Sequence, residues 1–188
     1  MNPAIVILPI IAASFGPRLW ANRLLRRHDV QDDAFLPASS LARHLLDDNG
    51  LQLVRVEPTD VGDHYDPLAK TVRIGRGRFD GRSLTATTTV AHEVGHALQD
   101  ATGYWPFRLH LRLARLSRVA GDVGTVLLIA VPLAAMITPS PMAPLIIGVA
   151  AAGMLGTSLA AQFAALPSEL NASFGRALPM LRDCLLSD

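Results

Sequence analysis

Residues 123–168, VGTVLLIAVPLAAMITPSPMAPLIIGVAAAGMLGTSLAAQFAALPS, form a run of 46 positions without one charged side chain. A membrane-spanning helix takes about 20 apolar residues, because the hydrocarbon core is roughly 30 Å thick. The run is therefore long enough for two spans and a turn. The turn is legible at Thr138-Pro139-Ser140-Pro141, where two prolines break both the helix and its hydrogen bonding. Spans are expected at about 120–138 and about 143–166. Gly148, Ala150, Ala151, Ala152, Gly153 and Gly156 crowd the second with small residues, which suits close helix packing in lipid. The competing reading is a hairpin buried inside a soluble protein. Nothing else in 188 residues is large enough to cover it.

Working outward, the charged residues are confined. None precedes Arg18, 28 lie between Arg18 and Asp122, and five follow from Glu169 onward, so only the middle of the chain can be an ordinary hydrated domain. The uncharged start is followed, not preceded, by Arg18, Arg23, Arg26 and Arg27. A cleaved signal peptide carries its positive charges first, so a retained anchor over residues 1–20 is expected, with its N-terminus outside. Arg108, Arg112, Arg115 and Arg118 precede the second span, Arg176 and Arg182 follow the third, and residues 139–142 between the last two are uncharged. Lys and Arg are retained on the cytoplasmic side, which puts the central segment and the C-terminal tail there. A net charge of +1, with acids and bases interleaved, gives no case for a nucleic-acid partner. Cys184 is the single cysteine, so no disulfide framework exists.

In the central segment, residues 37–49 (PASSLARHLLDDN) read as a short amphipathic helix with Ser39 or Ser40 as N-cap and Gly50 as stop. Residues 51–56 (LQLVRV) and 70–74 (KTVRI) alternate as strands do, and residues 83–100 read as a helix.

That helix carries His92-Glu93-Val94-Gly95-His96. Positions i and i+4 share a helical face, so both imidazoles can bind one metal ion, while Glu93 lies beside that face as a base for water. Zinc lowers the pKa of bound water to roughly 7. Thr89-Val90-Ala91 before the motif and Ala97-Leu98 after it are uncharged, as expected of a helix buried on both sides of a catalytic metal. The plainer alternative is two surface histidines. A catalytic zinc keeps three protein ligands. His28, His44, His64 and His110 are candidates for the third but have no motif around them. Glu169, the first charge after the uncharged run, is the better one, since the topology returns it to the face of the membrane where His92 and His96 lie. Pro167 and Ser168 are placed to begin a helix there, and an acid favoured by that helix's N-terminus is the bland explanation.

Together with Asp63-His64-Tyr65-Asp66-Pro67 and Leu166-Pro167-Ser168-Glu169-Leu170-Asn171-Ala172-Ser173, the block from His92 to Gln99 resembles the bacterial YugP-like family of membrane-bound neutral zinc metallopeptidases. The resemblance runs from about residue 1 to 178, with the blocks in the family's order. That family is similar to the HtpX and CAAX-prenyl-protease clan, whose third zinc ligand is the Glu of a Glu-x-x-Ala-Asp segment, which implies the ligand role for Glu169. Ser173 stands where the clan often has Asp. Family members continue into a further hydrophobic helix, so a short or truncated member is expected. The resemblance marks Asp63, His64, Tyr65 and Asp66 without implying a role. By chemistry alone Asp63 or Asp66 could orient a ligating histidine, the block could shape a substrate edge, or it could be an Asx-turn before Pro67. Tyr65, His64, Tyr104 and Arg176 are all available as oxyanion donors.

The resulting expectation is a mainly α (α+β) integral membrane protein with three transmembrane helices and a cytoplasmic zincin-like domain containing a small sheet. Its parts are an anchor at 1–20, the zincin-like domain at 28–118, a transmembrane hairpin at 119–166, and a C-terminal helix at 167–188 carrying the third ligand. Zn²⁺ is held by His92, His96 and Glu169, with Glu93 as catalytic base, in a multi-pass protein of the bacterial plasma membrane. The partners are the lipid bilayer and a protein or peptide substrate, membrane-associated. The rival classes are a catalytically silent zinc-binding scaffold, against which an intact Glu93 argues, and a metal-handling membrane protein. Against the latter, the spans hold no ionisable residue except Asp122 at an edge.

Overall fold

Leu41, Ala42, Leu45 and Leu46 recur at helical spacing in the first well-packed element, and all are buried along one face of α1 (Ala38–Asp48). The computed structural model describes residues 19–186. Residues 19–27 are helical, while the rest of the expected N-terminal span lies outside the described residues. The chain forms two compact units, one made of the residues up to Leu98 and from Arg176, the other Gln99–Gly175.

In the first unit, α1 begins differently from expectation. Pro37 is its N-cap and makes no side-chain cap bond, so Ser39 and Ser40 sit inside the helix. The helix bonds start at Pro37, whose carbonyl accepts Leu41 N–H at 2.9 Å, and the Ala38 N–H is taken by Gly81 O at 3.0 Å, so one orphan donor of the entry is satisfied without a serine cap. The stop is as expected. Gly50 has φ +73°, its N–H donates to Asp47 O at 3.1 Å, and Leu51 N–H reaches Leu46 O at 2.8 Å. Those two bonds close the last turn around a left-handed residue, which favours glycine.

The first strand starts later than its alternation suggests. Arg43 on α1 donates to Leu51 O at 3.2 Å and to Val54 O at 2.6 Å, and Val54 N–H bonds Leu51 O at 3.0 Å. With those carbonyls engaged, residues 51–54 turn, and β1 is Arg55–Thr59. It pairs in parallel with β3 (Thr71–Gly75), Val56 opposite Val72, and β2 (His64–Asp66) pairs antiparallel on the other side, Tyr65 opposite Val72. The order β1-β3-β2 makes β3 central, and Thr71, Val72 and Ile74 are fully buried. Asp63 ties the sheet's end together: its carboxylate accepts Gly75 N–H at 2.7 Å and pairs with Arg78 at 2.8 Å. Arg78 belongs to the short helix α2 (Arg76–Phe79).

Helix α3 (Leu84–Ala101) follows. Ser83 is its N-cap, accepting Ala86 N–H at 3.1 Å while its own hydroxyl donates to Asp29 at 2.6 Å. Val90, Ala91, Val94 and Ala97 are buried, as expected for a helix covered on more than one side. Helix α6 (Leu178–Leu186) completes the first unit, with Met180 Sδ 3.3 Å from the Asn49 amide at the end of α1.

The second unit is built on a hairpin of α4 (Trp105–Ile137) and α5 (Met142–Leu170), with the break at residues 138–141. Gly121 lies against Ser158, Gly124 against Leu155 and Gly148 against Val131, the pairing of two antiparallel helices. At Gly124 a Cβ would stand 3.0 Å from Leu155 Cγ, so a larger side chain there would push the helices apart. Both helices are long and apolar enough to cross a membrane, and their most apolar windows are only 11% and 6% buried. A core hairpin of a soluble protein would be mostly covered, and this one is not. Against the three expected spanning helices, two helices of spanning length and apolarity are found among the described residues.

A helix beginning at Pro167 and Ser168 is not found. Pro167 lies inside α5, which runs on through a π-helical stretch, Asn171–Ala177. The apolar helix has already set its geometry upstream, so Ser168 starts nothing, and Pro167 costs it one amide donor.

Candidate metal centre

One turn of α3 separates His92 from His96, and the backbone spacing sends both rings to one face. Their Nε2 atoms are 3.1 Å apart, with the rings edge-on at 80° and centroids 4.6 Å apart. Metal–nitrogen bonds of 2.0–2.1 Å in a tetrahedral site hold two ligand nitrogens about 3.3 Å apart. The two imidazoles thus fit one zinc ion.

Glu93 is 8% exposed. One of its oxygens accepts the Tyr65 backbone N–H at 2.8 Å, so β2 lies beside the motif helix and fixes the carboxylate. Burial pushes the Glu93 pKa up, and the facing imidazoles of His96 and His92, with the Tyr65 bond, pull against that rise.

The Asp63-to-Pro67 block is therefore an edge strand beside the motif, joined to it through backbone. Asp63 serves Gly75 and Arg78. Asp66 closes an Asx-turn after the strand, accepting Leu68 and Ala69 N–H at 3.0 Å each, and it also pairs with Arg73. Those backbone bonds lead in lowering the Asp66 pKa. The turn of the bland reading exists, but it lies across Pro67, not before it. His28 bonds Leu24 O, His44 bonds Asp48, and His64 bonds Gly62 O, so each has a local partner on its own loop or helix. His110 lies on α4, where with Ser117, Arg118 and Gln162 it lines a cavity of about 240 Å³.

Glu169 occupies the last turn of α5, half-buried. Beside it is a cluster that sequence reasoning missed. Gln99, in the last turn of α3, donates to Ser168 O at 2.8 Å and to Asn171 Oδ1 at 2.9 Å, and Ser168 Oγ donates back to Gln99 Oε1 at 3.1 Å. Both Gln99 and Ser168 are fully buried. The signal was available, because Gln99 is seven residues after His92 and three after His96, on the same helical face.

A family model described as "putative neutral zinc metallopeptidase" matches residues 3–187. A Bacillus subtilis (strain 168) protein described as "putative membrane protease YugP" is 33% identical over 122 residues, covering 61% of this chain and 54% of the relative. The chain thus spans about half the length of that relative. No solved structure matches.

Proposed function

Starting from a chain that belongs to the neutral zinc metallopeptidase family, we propose that it is a membrane-bound zinc metalloendopeptidase acting on membrane or membrane-adjacent proteins at the cytoplasmic face. The observation that carries this is the convergence of the His92 and His96 Nε2 atoms at 3.1 Å beside a buried, backbone-held Glu93. A structural metal site needs no such carboxylate.

In this reading His92, His96 and Glu169 hold the zinc. Bound there, zinc supplies Lewis acidity toward a water and a peptide carbonyl. Glu93 takes the proton of the attacking water and passes it to the leaving amine nitrogen as the C–N bond breaks. Its burial favours the proton-accepting role by raising its basicity, and the Tyr65 N–H anchors one of its oxygens. Glu169 as third ligand rests on its place next to Ser168, which the motif helix holds through Gln99.

The course of α5 supports the substrate class. The helix is continuous from its apolar stretch through Leu166 to Glu169, three residues or about 4.5 Å of helix. A site built on Glu169 is therefore close to the membrane surface and meets membrane-tethered chains at high effective concentration. The arginine flanks of the spans support the cytoplasmic orientation.

Glu93→Gln tests the reading. Turnover of a peptide sequence placed beside a membrane span is expected to fall by about 10²- to 10⁴-fold, with zinc retained. Undiminished turnover would remove Glu93 from the chemistry.

A further inference from the structure

The Gln99 side-chain amide makes three hydrogen bonds to one stretch of chain: its two donors go to Ser168 O and Asn171 Oδ1, and its oxygen accepts from Ser168 Oγ. Burying a neutral amide with this many partners is a demanding arrangement, since any lost bond leaves a polar group stranded in the interior. The site is shaped for it. Asn171, which holds the amide's second donor, rests over Gly175, where a Cβ would stand 2.7 Å from Asn171 Nδ2. The amide also enters the α5 backbone where the helix changes from α to π winding at Asn171, and side chains inserted into a helix ladder are a recognised cause of such changes.

The peptide carbonyl that Gln99 grips is the one that leads into Glu169. Gln99 itself is one turn beyond His96 on the motif helix. We propose that Gln99 is a positioning residue for the metal centre: its amide fixes the Ser168–Glu169 backbone and so the direction of the Glu169 carboxylate. This rests on the reading of Glu169 as third zinc ligand. Partners that orient a metal ligand typically contribute 10- to 100-fold to affinity.

The test uses the purified full chain, with zinc affinity measured against a competing chelator and the visible absorption of the Co²⁺-substituted protein as a report of ligand geometry. Glu169→Ala is the control. Gln99→Met keeps the volume and removes all three bonds, and zinc affinity is expected to fall about 10- to 100-fold with altered cobalt bands, well below the melting temperature of the variant. Ser168→Ala is milder, removes one bond, and is expected to fall between native and Gln99→Met, so it decides the matter if Gln99→Met does not fold. A purely structural clamp would lower the melting temperature and leave affinity and cobalt bands native. If Glu169→Ala loses the metal while Gln99→Met, or Ser168→Ala in its place, binds as the native chain does, the positioning role is wrong and the ligand reading stands. If Glu169→Ala itself binds zinc as the native chain does, the ligand reading fails and the positioning role with it.

Discussion

Helix α3 and the α4–α5 hairpin invert each other. Along α3 the polar side chains Thr85, Thr87, Glu93, His96 and Gln99 are buried. Along the hairpin the apolar ones are out: Val126 is 66% exposed, Ile129 69% and Met136 85%. A buried carboxylate or amide is costly unless held by a partner, and those on α3 are held. An exposed aliphatic surface of this extent is unfavourable in water and neutral in lipid. The difference teaches where each region's stability comes from. The motif helix depends on particular hydrogen bonds, while the exposed aliphatic surface of the hairpin calls for a cover other than water.

That contrast can be broken most sharply by labelling. In a Cys184→Ser background, a cysteine at Ser140 in the hairpin turn is expected to react with an impermeant reagent added outside intact cells. One at Leu53, 93% exposed in the first unit, is expected not to react. Labelling at Leu53 would reverse the orientation.

Next in size is a charge placed on each region's exposed surface. Val126→Arg is expected to cost about 3 kcal/mol of membrane insertion, seen as a lower inserted fraction. Leu53→Arg, at an apolar and still more exposed position, is expected to stay within about 0.5 kcal/mol. Equal behaviour of the two would mean that the hairpin surface does not face lipid. A smaller effect than that of Val126→Arg belongs to α3's start: Ser83→Ala is expected to cost about 1–2 kcal/mol, read from thermal unfolding, because it removes the N-cap bond to Ala86 and the bond to Asp29.

Much of this was readable in the chain. The uncharged run with its proline turn marks the hairpin, Gly50 marks the end of α1, and the His-Glu-x-x-His spacing marks the shared face of His92 and His96. What was not readable depended on partners distant in sequence or on continuity. Alternation in residues 51–56 looks like a strand until Arg43 takes the carbonyls of Leu51 and Val54. Pro167-Ser168 looks like a helix start because proline favours the first turn, and only the uninterrupted apolar helix before it overrides that preference. Tyr65 contributes a backbone N–H to Glu93, which no side-chain pattern encodes. Gln99 has the correct face, but its partners lie 69 and 72 residues away.

The central claim is a zinc centre made by His92, His96 and Glu169, and metal content of the purified full chain tests it most directly. About one zinc per chain is expected in the native protein and in Glu93→Gln, with loss of that zinc in His92→Ala, His96→Ala and Glu169→Ala. A full complement of zinc in Glu169→Ala, or in either histidine variant, would contradict it.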